Sequence, residues 1–310
     1  MRKWVLKKIK ILLLACTFCV TSMSYGVNVI FDLEGVLLKI NKSAMFKQMS
    51  KFTLLKFLFS SCFSLQNPFN IEPKLFAVLK ELECDYENTY GATDGKGNKL
   101  PDILCAWSAG EVNSQEILSK ANLFLQTDTD VLPYSTEKNF VREIIKTAFN
   151  PECFIKATTE IKDGIEFAKK CKEEGHEIFV LSNWDKESWN KESGETMYTK
   201  FKDLFGEDGL FEKEKVIISG EVGCIKPDPN IYFHLLNKHG LRPQESIFFD
   251  DQEVNVRAAE KLGIRGVLCK NKNYNQMLDE LNKFTDEKKK ESLARQDFVS
   301  EINKWFFTPF

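Results

Sequence analysis

Four small groups of polar residues stand where apolar runs end. Asp32 and Glu34 follow Val27–Phe31, and Ser182 and Asn183 follow Ile178–Leu181. Lys226 stands in the loop that leaves Val216–Ile218, and Asp250 and Asp251 follow Ile247–Phe249, with Asn255 shortly after. Each group alone has an ordinary reading: acidic pairs, Ser and Asn form turns and cap helices, and a Lys before Pro is a surface residue. Together they supply a carboxylate nucleophile, hydroxyl and amide donors, a cation and extra carboxylates, which is the inventory for attack on a phosphate. Such an attack meets like-charge repulsion. Two unit charges 4 Å apart repel by roughly 4 kcal/mol at an effective dielectric near 20, so cations are needed at the site.

The elements that must position these groups alternate. Short β-branched runs at Val27–Leu33, Ile178–Leu181, Val216–Ile218, Ile247–Phe249 and Gly266–Cys269 read as buried parallel strands. Thr159–Glu174, Lys186–Leu204, Pro229–His239 and Val254–Leu262 read as helices between them. The fold class is therefore α/β, a Rossmann-like parallel sheet, and its ligand should bind outside the carboxyl ends of the strands. All four polar groups fall on that edge. The first two strands are too far apart for a simple crossover. Residues 41–155 are expected to form an inserted α-helical cap, with helices over Ala44–Phe63, Glu72–Leu82, Asn113–Leu125 and Thr136–Phe149 and a Gly-rich loop at Tyr90–Asn98. The core is then 27–40 with 156–270, and 271–310 is a charged helical tail ending in the packing patch Trp305-Phe-Phe307.

The motifs Asp32-Leu-Glu-Gly-Val36, Leu181-Ser-Asn183, Ser219-x-Glu-Val-Gly-x-x-Lys-Pro-Asp-Pro229 and Phe248-Phe-Asp-Asp-x-x-x-Asn-Val256 resemble, in this order, the haloacid dehalogenase-like hydrolase superfamily. The insertion, and more weakly the stretch Trp107–Glu116, is similar to the helical cap of the subgroup with sugar phosphatases and the phosphatase domain of soluble epoxide hydrolase. The resemblance implies a Mg²⁺-dependent phosphatase acting on a small phosphorylated metabolite, such as a sugar phosphate, through an aspartyl phosphate on Asp32. It implies Mg²⁺ ligands from the Asp32 side chain, the Glu34 carbonyl and Asp251, with Asp250 holding a metal-bound water and Asn255 orienting the acidic pair. Lys226 would neutralise Asp32 and the transferring group, while Ser182 and Asn183 bind the phosphoryl oxygens.

One position departs from the family pattern. Most family phosphatases have Asp as acid/base two residues after the nucleophile, and here that residue is Glu34, as in enolase-phosphatase members with Asp-x-Glu-Gly. The longer arm shifts the carboxyl by roughly 1 Å, enough to alter rate substantially. Three alternatives stay open: a carbon–halogen hydrolase, which the paired carboxylates Asp250 and Asp251 disfavour; a catalytically weak phosphate-binding or interaction protein; and a phosphomutase.

Composition adds boundaries. With 43 basic and 45 acidic residues and a net charge of -2, nothing draws the chain as a whole to nucleic acid or an anionic membrane. The 26 Phe residues read as core filling. Residues 1–24 read as a secretory signal: basic Met1–Lys10, apolar Ile11–Val20, then small polar residues. An exported protein without stable membrane insertion is expected, with an uncleaved anchor and a lipoprotein box at Leu13–Cys16 as alternatives. Beyond the signal no C-x-x-C pair appears, so the cysteines lack zinc spacing, and Cys269 reads as a buried thiol.

Overall fold

The computed structural model describes residues 26–63, 71–94, 96–127, 132–190, 194–269 and 273–307. The expected signal at 1–24 lies outside these residues. Five parallel strands form the core: β1 (Asn28–Phe31), β4 (Glu177–Ser182), β5 (Val216–Ile218), β6 (Ser246–Asp250) and β7 (Arg265–Leu268), in the spatial order β5-β4-β1-β6-β7. β1 is central, and the chain builds outward on one side before crossing to the other. The strands that flank β1 therefore lead their connections apart at its carboxyl end, leaving room for a ligand.

Both faces of the sheet are covered, which explains the unbroken apolar runs. Val29, Phe31, Ile247 and Phe249 belong to one hydrophobic cluster, while Ile30 and Phe248 belong to another on the opposite face. Phe31 and Phe249, paired in register, stack at 5.8 Å, and both meet Phe167 edge-on at 5.8 and 5.2 Å. Part of the phenylalanine content is thus sheet-to-helix packing, each buried ring being worth about 1.5–3 kcal/mol.

Between β1 and β4 the chain makes a short antiparallel pair, β2 (Leu38–Ile40) with β3 (Thr158–Glu160), and a helical insert runs between them. The insert comprises α1 (Lys42–Lys47), α2 (Lys51–Phe63), α3 (Ile71–Lys80), α4 (Asp102–Ser108), α5 (Ser114–Phe124), α6 (Ser135–Ala148) and α7 (Pro151–Ala157). It has its own cluster around Val78, Ile103, Ile117, Val141 and Ile145. The core helices are α8 (Lys162–Glu173), α9 (Met197–Lys200), α10 (Lys202–Phe205), α11 (Ser219–Val222), α12 (Pro229–His239) and α13 (Glu253–Lys261). The tail is one helix, α14 (Tyr274–Phe307), which buries Met277, Leu281 and Phe284 against the core. The side chains of Trp305-Phe-Phe307 lie outside the described residues. No described helix is long and apolar enough to cross a membrane.

Three expected helices differ. Thr158–Glu160 is strand β3, and the helix starts at Lys162. Ala44–Phe63 divides at Ser50, whose hydroxyl accepts from Thr53 N (3.4 Å) and so begins α2. Lys186–Leu204 is not one helix: Gly194 has φ +97°, and Thr196 restarts the chain with a reciprocal capping box on Thr199. Cys84, Cys105, Cys153, Cys171, Cys224 and Cys269 are free thiols.

His176 joins the amino ends of β1 and β4, because its buried Nδ1 accepts from Val27 N (3.2 Å). Accepting requires the neutral ring. Burial lowers its pKa from the ordinary value, partly opposed by Glu174, whose carboxylate lies 3.9 Å from Nε2. This contribution is present above the unfolded pKa near 6.5 and is lost as pH falls through the lower folded value. The stability gap between wild type and His176→Phe, measured by urea unfolding, should narrow as pH falls from about 7 to about 5. A constant gap would show that the ring does not titrate with folding.

Candidate active site

The site gathers at the carboxyl end of β1. Asp32 N donates to Phe249 O (2.9 Å), continuing the β1–β6 ladder one step, so the sheet itself fixes the Asp32 backbone. Its Oδ1 accepts from Leu33 N (2.7 Å) and lies 2.8 Å from Lys226 Nζ. That atom is anchored, and Oδ2 is left for a ligand.

Lys226 is 1% exposed and is held between two acids, its second partner being Asp250 Oδ2 at 2.7 Å. Its Nζ also lies 5.3 Å from the Phe248 ring centre. Burial opposes the charge on Lys226, but the carboxylates of Asp250 and Asp32 outweigh it and keep its pKa above the ordinary value. Asp250 is held at both oxygens: Asn255 Nδ2 donates to each at 3.1 Å, and Gln252 N donates to Oδ1 at 2.7 Å. Burial pushes its carboxyl up against the pull of Lys226. Tyr232, buried on α12, donates its hydroxyl to Asn255 O (2.9 Å) and so fixes the residue that holds Asp250.

Asp251 is half-buried and is pushed up to about 7 by burial and by the charges of Asp32 and Asp250. Asp32, Asp250 and Asp251 each offer a carboxylate oxygen, and these oxygens lie within 4.8 Å of one another. Three carboxylates face one ammonium. An all-oxygen donor set with surplus negative charge fits a hard divalent cation such as Mg²⁺. Gly35 permits the arrangement, since it has φ +82° and a Cβ there would stand 2.4 Å from Asp251 Oδ2. Glu34 beside it is exposed. Desolvation and the Asp32 charge push its carboxyl up to about 7.

Ser182 ends β4, the strand next to β1. It is 1% exposed and its Oγ has no hydrogen-bond partner. A buried hydroxyl left without a partner costs stability, so its placement at a ligand edge points to a ligand oxygen. Asn183 departs from expectation. Its Oδ1 accepts from Lys226 N (2.7 Å) and its Nδ2 donates to Lys226 O (2.9 Å), so both ends of the side-chain amide clamp the lysine backbone. This makes Asn183 a positioning residue for Lys226, a role joining residues 43 apart that no local pattern reveals. The Asn183 clamp, Tyr232, Gln252 and the fit of Gly35 on Asp251 are the parts sequence reasoning missed. A cavity of about 800 Å³ does open in the insert, lined by Lys80, Cys84, Tyr86, Asp102, Glu111 and Lys120, but none of the reactive side chains line it.

The sequence profile of haloacid dehalogenase-like hydrolases matches residues 28–263. The chain belongs to that family. Bifunctional epoxide hydrolase 2 of Mus musculus is 33% identical over 92 residues, a match spanning 30% of this chain and 15% of that protein's length. A haloacid dehalogenase-family enzyme of Bacteroides thetaiotaomicron shares the fold at TM-score 0.50 and 19% identity, covering 82% of this chain and 98% of its own. A haloacid dehalogenase-like hydrolase of Porphyromonas gingivalis aligns at TM-score 0.47 and 16% identity over 83% and 98%. The protein is thus a haloacid dehalogenase-like hydrolase with a five-stranded parallel sheet and a helical insertion.

Removing the ammonium from this cluster leaves two buried carboxylates facing each other. Lys226→Met should lower the unfolding free energy by about 3–5 kcal/mol. Adding Asp250→Asn, which removes one orphaned charge and keeps the shape, should restore part of that loss. Chemical denaturation of both variants measures it, and a Lys226→Met protein as stable as wild type would contradict the ion-cluster account.

Proposed function

We propose that this hydrolase is a Mg²⁺-dependent phosphomonoesterase in which Asp32 attacks phosphorus. The reading rests above all on Asp32 held 2.8 Å from Lys226, with the unpartnered buried hydroxyl of Ser182 on the neighbouring strand end. Lys226 and Leu33 N hold Asp32 Oδ1, which leaves Oδ2 to form the bond to phosphorus. The ammonium of Lys226 lies beside the charge that builds on the transferring group, and Ser182 Oγ–H donates to one of its oxygens. The P–O bond to the alcohol breaks as the O–P bond to Asp32 forms, and Glu34, two residues on, gives the departing alkoxide its proton. The same carboxylate then takes a proton from water, which attacks phosphorus and releases inorganic phosphate, returning Asp32.

Asp32 and Asp251, with the Glu34 carbonyl, would hold the cation, and Asp250, whose oxygens serve Lys226, Asn255 and Gln252, would reach it through water. When bound, the cation would offset the repulsion between the incoming phosphate and the three carboxylates. The expected substrate is a small phosphorylated metabolite, with specificity in the helical insert acting as a cap. The expected location is outside the cytoplasm, which fractionation of expressing cells would check.

Phosphate release from sugar, nucleotide and aryl phosphates, with and without Mg²⁺, tests the reading. Chelation and Asp32→Asn should each lower turnover by roughly 10³-fold or more. Activity that survives either change, or chloride release from haloacids, would overturn it. Ser182→Ala gives a sharper result. Turnover should fall about 10²-fold through the lost donor, while stability stays equal or rises because the deleted hydroxyl has no partner in the protein. A large stability loss would make Ser182 a structural residue.

A further inference from the structure

The first two helices of the insert leave apolar side chains in solvent. Met49, Leu54 and Phe57 pack inward on Phe140 and Ile144 of α6, with the Phe57 and Phe140 rings stacked at 3.9 Å. Facing outward, Phe52 is 67% exposed, Leu55 54% and Phe46 42%. Phe52 and Leu55 are one turn apart on α2 and so share a face. A helix that is apolar on its inner and outer sides has a second surface to cover.

Charge indicates what covers it. Between Gly35 and Ile71 the chain has Lys39, Lys42, Lys47, Lys51 and Lys56 and no Asp or Glu, although the whole chain carries a net charge of -2. All five lysines are exposed, and Lys56 Nζ sits 4.3 Å over the Phe52 ring, so cation and apolar surface are interleaved on one face. The 13 residues of α2 span only about 20 Å, short of the ~30 Å hydrocarbon core of a bilayer. Exposed Phe and Leu, lysines beside them, no acid and too little length to cross are the features of a helix that lies in the headgroup region.

We propose that the face made by α1 and α2 docks on an anionic phospholipid bilayer, with Phe46, Phe52 and Leu55 entering the headgroup boundary and Lys47, Lys51 and Lys56 against the lipid phosphates. The near-zero charge of the whole chain does not oppose this, because attraction to a surface acts within about a Debye length, near 8–10 Å, and there Lys47, Lys51 and Lys56 outnumber Glu143, the carboxylate that accepts from Ser50 N at 3.0 Å. None of the six side chains named on this face belongs to the reactive set at the strand ends.

Co-sedimentation of the full chain with vesicles of phosphatidylcholine, alone or mixed with phosphatidylglycerol, tests the proposal. Wild type should pellet with the anionic vesicles at low salt and be released by high salt. Lys47→Gln/Lys51→Gln/Lys56→Gln should weaken the partition on the order of a hundred-fold, about five-fold per lysine. Phe52→Ser/Leu55→Ser should weaken it about ten-fold or more, and circular dichroism should show all variants folded, since these side chains face solvent. Both variant sets share the wild-type N-terminal segment, so equal pelleting of wild type and variants would overturn the proposal. So would lipid-free self-association in the ultracentrifuge that Phe52→Ser/Leu55→Ser abolishes, because a second copy would then cover the face.

Discussion

An ammonium wedged between two carboxylates, all three nearly out of water, is the constraint that the rest of the core satisfies. Lys226 is 1% exposed, Asp32 5% and Asp250 0%. Withdrawing each ion from water costs several kcal/mol, and the attraction among them offsets this only where the geometry is good and the remaining lone pairs are hydrogen-bonded. The structure meets that condition through rigid neighbours. The β1–β6 ladder holds Asp32, both ends of the Asn183 amide hold the Lys226 backbone, and Asn255 with Gln252 N fills the Asp250 oxygens. Tyr232 in turn holds Asn255. These two ion pairs and the amide clamp together fix the relative positions of β1, β4, β6 and the loop after β5.

The same cluster is not optimised for stability at its outer edge. Asp251 and Glu34 add carboxyls where two acids already stand, and both are pushed up to about 7 by desolvation and by Asp32. Ser182 adds an unpartnered hydroxyl on the adjacent strand. Lys226 already satisfies Asp32 and Asp250, so a purely structural site would gain nothing from these three groups. Unsatisfied donors and surplus charge at a strand-end opening are intelligible as one half of an interaction whose other half is a ligand.

Legibility in the sequence followed burial and local patterning. The five core strands were readable because each is covered on both faces and so forms a short continuous apolar run, and their order along the chain placed the reactive residues on one edge. β2 and β3 were not readable: Leu38–Ile40 is the end of a short apolar stretch just after Gly35, too brief to read as a strand, and Thr158–Glu160 abuts a helix with no turn signal between them. Lys186–Leu204 looked helical, and only the Gly194 backbone and the Thr196 cap reveal the break. Asp32, Lys226 and the acidic pair could be picked out by type and position. The clamp made by Asn183 could not, because its partner is a backbone 43 residues away and an amide suited to a phosphoryl oxygen is equally suited to a peptide group. Tyr232 lies among the buried apolar residues of α12, where an aromatic reads as core packing, and only its hydroxyl's reach to Asn255 shows otherwise.

The helical insert is not an independent cover set over a finished site. Its attachments fall on the loops that carry the reactive groups. Ser219, which begins the Lys226 loop, accepts from Trp184 N at 2.9 Å and donates to Ser108 O of α4 at 2.6 Å. Gly110 and Gly220 approach so closely that a Cβ on Gly110 would stand 2.3 Å from Gly220 O. Ser114 N, at the start of α5, donates to Glu187 Oε2 (2.8 Å), five residues beyond Ser182. In the Gly-rich loop, Thr93 Oγ1 lies 3.3 Å from the side-chain amide of Gln252, the residue after Asp251. The insert therefore touches the segments after β4, β5 and β6, each a residue or a short loop away from Ser182, Lys226 and Asp251. Any displacement of the insert on meeting the organic part of a substrate must act on those three segments, because they are where it is bonded. On the proposed reading, recognition by the insert and the alignment of the reactive residues are then one mechanical problem, because the same bonds carry both.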